Sequence, residues 1–245
     1  MVRTFGHYGT NSAKAVPDLL IGLDHLVASP NHQFRTEDVG DYLATLAVAA
    51  PENPAVISRI LDCLAPEHPL NRPPSQYKPI APFAMKALAT IGLPSDPALR
   101  TTAVARLTNS LLDTNLTASS LAALEKTDPA LLAPDASVFA PIVIQVLQTT
   151  KSPDAGADFM ERYRFEGSLA IKASAIRVLA KFGTAAVGAT PILQRLANRE
   201  ILPASYDVAN GIENTITLEA QKTLSAISGQ ATNAPTSTKD PAAPK

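Results

Sequence analysis

Apolar residues between Ser168 and Phe182 fall in two rows, Leu169, Ala173, Ile176, Ala180 and Ile171, Ala175, Val178, Phe182. Each row steps by 4, 3 and 4, the spacing of a helix. Polar side chains form a narrow stripe at Ser174, Arg177 and Lys181, so a helix here must be covered around most of its circumference. Gly183 follows as the kind of residue that ends helices in a left-handed conformation. A second helical run comes next at Ile192, Leu193, Leu196 and Ala197, with Gln194, Arg195, Asn198 and Arg199 on its other side. Two short helices cannot bury that much apolar surface between themselves. The pattern predicts neighbours of the same kind.

Such neighbours recur along the chain. Val2–Thr10 lies over Ile176–Thr184 without a gap, and Ala15-Val16-Pro17 over Ala189-Thr190-Pro191, so Met1 falls inside a first helix. Asn53-Pro54, Asp96-Pro97 and Asp128-Pro129 each put a capping Asx before a proline, a combination suited to a helix start. Seven or eight residues upstream stand Leu46, Leu88 and Leu121, which match Leu179 and Leu224. Arg3, Lys86, Arg177 and Lys222 stand two residues before the equivalent apolar position. The predicted helix pairs are Met1–Tyr8 with Val16–Val27, Val39–Ala49 with Pro54–Leu64, and Ile80–Ile91 with Pro97–Leu112. Leu116–Lys126 pairs with Val138–Gln148 after a turn at Ala130–Ala133, and Ser168–Phe182 pairs with the run ending at Arg199. Thr217–Ile227 is a sixth first helix without a mate. Residues 1–228 are thus expected to form one all-α array, and 229–245, with almost nothing to bury, a disordered tail.

The stretch Ala173–Gly183 followed by Ala189-Thr190-Pro191-Ile192-Leu193 resembles a HEAT repeat, of the short alanine-rich bacterial type named after the phycobilin lyases. Ala15–Leu20 resembles the second half of the same unit. The resemblance covers nearly all of Val2–Ile227 and is specific in the first and fifth units; the fourth departs most, its second helix delayed by Leu131–Ser137. It implies a right-handed α-solenoid of five to six helix pairs serving as a protein-binding scaffold, and no chemistry by itself.

Composition narrows the alternatives. With 21 basic and 22 acidic residues the net charge is −1, which provides no bulk attraction to nucleic acid or an anionic membrane. The HEAT-like DNA glycosylases need a basic concave face and base-handling aromatics; this chain has no Trp. The single Cys63 excludes an intramolecular disulfide and sits in an apolar run, as a buried inert thiol would. His7, His25, His32 and His68 never fall at i, i+4, and Asp24-His25 with His32 lacks metal-ligand spacing, so neither metal nor cofactor is expected. No nucleophile motif or phosphate loop occurs. A bilin-lyase-like chromophore handler is the enzyme-class rival that the repeat type allows. No apolar run approaches the roughly 20 residues that cross a bilayer. The compartment stays open, cytoplasmic or exported, because the chain begins inside a repeat.

Function is expected in the connections between pairs. Ala28–Asp38, Ala65–Pro79, Thr149–Gly167 and Leu202–Thr215 all exceed the usual few residues, and in a solenoid such loops emerge along one edge. They carry Phe34, Tyr77, Phe159, Tyr163, Phe165 and Tyr206, together with Arg35, Arg72, Arg162 and Arg164. Tyr and Arg are enriched where proteins meet. Two readings stand: a partner-binding edge centred on Glu161–Phe165, or rings folded back to plug gaps between repeats. A second candidate surface is the concave row of second helices, with Asp18, Arg59, Asp62, Arg106, Gln145, Arg195 and Arg199. Arg72–Pro79 reads as a proline-rich ligand motif or a stiff spacer. Open ends of the array predict docking to another protein, to a multi-subunit complex, or to a second copy.

Overall fold

A computed structural model describes residues 13–28, 35–72, 78–149, 159–200 and 210–231. Every secondary-structure element among the described residues is helical. The helices are α1 (Val16–Ala28), α2 (Arg35–Ala49), α3 (Pro54–Cys63), α4 (Ala81–Ile91), α5 (Pro97–Ser110) and α6 (Thr117–Lys126). They continue with a single turn, α7 (Pro129–Leu132), then α8 (Ala136–Thr149), α9 (Phe159–Phe182), α10 (Thr190–Ala197) and α11 (Asn210–Ala231). Tighter 3₁₀ segments occupy Pro69–Asn71, Ala133–Asp135 and Gly183–Ala189.

The Asx-Pro signature works as local chemistry dictates. Asn53 accepts a hydrogen bond from the Ala55 N–H (2.9 Å), Asp96 from those of Ala98 and Leu99 (3.0 and 2.9 Å), and Asp128 from that of Ala130 (2.7 Å). Each satisfies N–H groups that a helix start leaves unpaired, and each is followed by Pro at the first helical position. The paired leucines Leu46, Leu88, Leu121 and Leu179 are all fully buried. Leu224 is only partly so, since α11 buries Ile216, Ala220, Thr223 and Ile227 instead.

Packing follows chain order. In one row α2 lies against α4, α4 against α6, α6 against α9, and α9 against α11. The intervening helices form a second layer: α1 packs on α2, α3 touches α4 and α5, α5 touches α6 and α8, and α8 packs on α9. α10 and the Gly183–Ala189 segment close on α11. Polar ties join one pair to the next across 31 to 56 residues, about one pair with its connection. Arg59 reaches Asp24 at 2.8 Å, the Leu93 N–H donates to the Thr127 hydroxyl at 2.7 Å, and Arg100 holds Asp135 and the Leu131 carbonyl. Glu125 accepts from Ser174 and Arg177, while Lys181 donates to the carbonyls of Glu125 and Thr127. Phe139 and Phe182 stack with ring centroids 6.3 Å apart.

Several boundaries differ from the sequence expectation. α9 begins at Phe159 rather than Ser168, because Met160, Glu161, Arg162, Arg164 and Glu166 favour helix and the lone Gly167 costs only about 1 kcal/mol. α2 begins at Arg35, with Glu37 and Asp38 in its first turn facing the positive end of the helix dipole. α11 starts at Asn210 and runs to Ala231. The expected turn at Ala130–Ala133 is a helical turn over Pro129–Leu132 that runs into the 3₁₀ segment Ala133–Asp135, and the following helix begins at Ala136 rather than Val138. Gly183 takes the expected left-handed φ of 55° and opens a 3₁₀ segment that runs to Ala189. Pro129–Thr149 and Ser168–Ala197 are, by length and composition, apolar enough to cross a bilayer, contrary to the sequence reading. Each is interrupted by a 3₁₀ segment, and each supplies core residues such as Val143, Leu147, Ile176 and Leu193.

Candidate functional site

The α3–α4 and α5–α6 connections lie beside one another. The first is built around Asn71. Its side-chain amide donates to the carbonyls of Cys63 and Ala65, both at 2.8 Å, and accepts from the Ala81 N–H at 2.8 Å. One side chain therefore clamps the end of α3 to the start of α4. His68 opens the 3₁₀ turn by accepting the Leu70 N–H on Nδ1 (3.2 Å), and the buried Leu70 anchors it. Arg72 leaves this turn exposed, its Nε donating to the Pro66 carbonyl at 3.2 Å. The second connection is tight: the Asn115 N–H donates to Asp113 Oδ1 (2.8 Å), and the Thr117 hydroxyl donates to the Leu111 and Asp113 carbonyls.

Between these connections opens a cleft of about 830 Å³. Leu64, Pro66, Pro79, Pro82, Phe83 and Leu116 give it an apolar lining, while Arg72, Lys78, Lys86 and Arg106 supply four cations against the one carboxylate of Asp113. Phe83 can lie against α2 because residue 40 is glycine; a Cβ there would stand 2.4 Å from the ring. Neither Lys78 nor Lys86 forms an ion pair among the described residues, and only Arg106 has one, to Glu67 at 3.3 Å. Glu67 sits on the exposed side of that pair, its carboxyl held below the ordinary value chiefly by its own backbone N–H and further by Arg106 and Arg72, against desolvation. The Arg106 Nε is buried with no hydrogen-bond acceptor among the described residues.

Other groups offer less chemistry. Burial, with nearby Asp62, pushes the Cys63 thiol up to about 12, so it stays protonated and unreactive. Among the described residues no three His, Cys, Asp or Glu side chains gather closely enough to hold a metal ion. Lys172 is only 4% exposed on α9, and burial holds its ammonium below the ordinary lysine value.

The sequence-derived edge is divided by this geometry. Arg72 lines the cleft. Phe159, Arg162, Tyr163, Arg164 and Phe165 stand on the first turns of α9, so they are helical residues and not loop residues, and Arg35 is the first residue of α2. Phe34, Tyr77 and Tyr206 lie outside the described residues. Of the charged residues expected on a concave face, Arg59 pairs with Asp62 and with Asp24, Arg195 pairs with Glu200, and Arg106 enters the cleft. The chain matches no family model, no curated protein and no solved structure. Phe83 and Lys86 line the cleft without having been singled out in the sequence as binding candidates, and Lys78 enters it from the proline-rich Arg72–Pro79 segment. A local signal existed: no Asp or Glu occurs from His68 to Ser95 in a chain whose net charge is −1.

Proposed function

We propose that the chain is a right-handed α-solenoid of five to six HEAT-like helix pairs acting as a non-catalytic interaction scaffold for another protein or a multi-subunit complex. The observation that carries this reading is the contact order. First helices meet the preceding and following first helices, and polar ties run from each pair to the next. A chain packed this way exposes long edges and faces in place of one enclosed site, which suits holding other chains. Light scattering after gentle size exclusion of the natively isolated protein tests it. A scaffold is expected to show a mass well above the chain's own 25.7 kDa, with a second polypeptide present. The chain's own mass alone, under every gentle condition, counts against it. A second reading, a bilin-handling protein, draws on the cleft, where an apolar lining and cations suit a carboxylate-bearing tetrapyrrole. A shift in the absorption of added biliverdin on mixing would favour it.

A further inference from the structure

We propose that the cleft between the α3–α4 and α5–α6 connections is a docking site for an acidic segment of a partner protein, one in which Asp or Glu residues flank an apolar side chain. This deepens the scaffold reading and rests on it. Charge complementarity is the first support: Arg72, Lys78, Lys86 and Arg106 line the cleft against one lining carboxylate, Asp113, and Glu67, which pairs with Arg106 beside it, in a chain of net charge −1. An imbalance of this size at one point draws a negative ligand and sets its orientation. Unused bonding capacity is the second. Lys78 and Lys86 line the cleft at exposed positions and carry no ion pair among the described residues. The free ammonium groups of Lys78 and Lys86 are exposed at the cleft, where an arriving carboxylate gains charge-assisted hydrogen bonds without displacing an internal partner.

Shape is the third support. About 830 Å³ with Phe83 in its wall accommodates a few side chains of an extended segment, and an apolar residue has a surface to cover. Phe83 is braced across Gly40, so the wall is formed before any ligand arrives. Asn71 sets the backbone from which Arg72 projects, by three hydrogen bonds of 2.8 Å. Nucleic acid fits less well, since single strands are held by stacking successive bases on several rings and Phe83 is the one aromatic ring among the described lining residues.

Fluorescence anisotropy on the full chain provides the test, with a fluorescein-labelled peptide alternating glutamate and leucine and a control alternating lysine and leucine. The acidic peptide is expected to bind and the basic one not, with affinity falling as salt rises from about 0.05 M to about 0.5 M. Lys78→Glu with Lys86→Glu, both at exposed positions, is expected to weaken binding about tenfold or more while circular dichroism stays unchanged. Equal binding of both peptides, or indifference to the double reversal, overturns the proposal. So does displacement by biliverdin or single-stranded DNA at lower concentration than by unlabelled acidic peptide. Failure here with the native mass still above 25.7 kDa removes the cleft and leaves the scaffold. Peptide binding by a chain that is natively alone removes the scaffold instead.

Discussion

Asn71→Ala removes the clamp that holds the cleft's first connection. The side chain makes three hydrogen bonds, each 2.8 Å, two to carbonyls at the end of α3 and one from the N–H that opens α4. A hydrogen bond contributes about 0.5–1.5 kcal/mol net, and partly buried groups left without partners add to the loss. Three of them place the cost at about 2–4 kcal/mol. For a chain of this length 1 kcal/mol moves Tm by about 2–4 °C, so a fall of roughly 4–16 °C is expected by calorimetry or circular dichroism if unfolding is cooperative. Asn71→Asp gives the sharper comparison. It keeps the acceptor for the Ala81 N–H but sets an oxygen against the Cys63 and Ala65 carbonyls, which have then lost their donor. It should destabilise at least as much as alanine. Hydrogen exchange should rise first at Ala65–Ala81 in both variants. An Asn71→Asp chain with wild-type Tm and exchange would refute the clamp, because a solvated loop residue tolerates that change.

Other single residues make sharp tests too. Lys172→Met should raise Tm at neutral pH, by about 2–4 °C if the buried ammonium costs about 1 kcal/mol. Because burial lowers the folded-state pKa of Lys172 below 10.5, the unfolded chain binds more protons in that interval, so wild-type stability gains from rising pH there and the variant loses that gain. His68 is also held below its ordinary value of 6.5, chiefly by burial, so its contribution is complete above that pH and fades as pH falls through it. His68→Asn, which can cap at any pH, should flatten that part of a Tm-versus-pH curve. Gly92→Ala should cost about 1–3 kcal/mol in chemical denaturation, since φ 87° and ψ −165° suit glycine alone and a Cβ would meet Thr127 Oγ1 at 3.0 Å. Asp96→Ala, which uncaps two N–H groups, should cost about 1 kcal/mol.

What could be read from the sequence was local. A capping Asx with a proline after it sits within a few residues, and the helices at Pro54 and Pro97 start where that pattern places them, while Asp128 opens a single turn. The start of α9 was illegible because apolar periodicity stops at Ser168, whereas helix propensity carries the backbone on through Gly167 to Phe159. Lys172 escaped for the opposite reason: it lies between Leu169 and Ile176 on the covered side of α9, where a polar residue contradicts the pattern. The cleft depends on tertiary packing. Arg72, Lys86 and Arg106 come from three segments, and only the stacking of α3, α4 and α5 brings them to one opening. Arg72 stands out in the sequence for its loop and Arg106 for a different face; nothing in their spacing joins them.

The most direct test of the scaffold is the native mass of the wild-type chain beside that of the Lys78→Glu, Lys86→Glu variant, both isolated gently from the source and measured by light scattering. An assembly well above 25.7 kDa is predicted for the wild type, and a larger share of lone chain for the variant. A wild-type chain found alone at 25.7 kDa would contradict the scaffold.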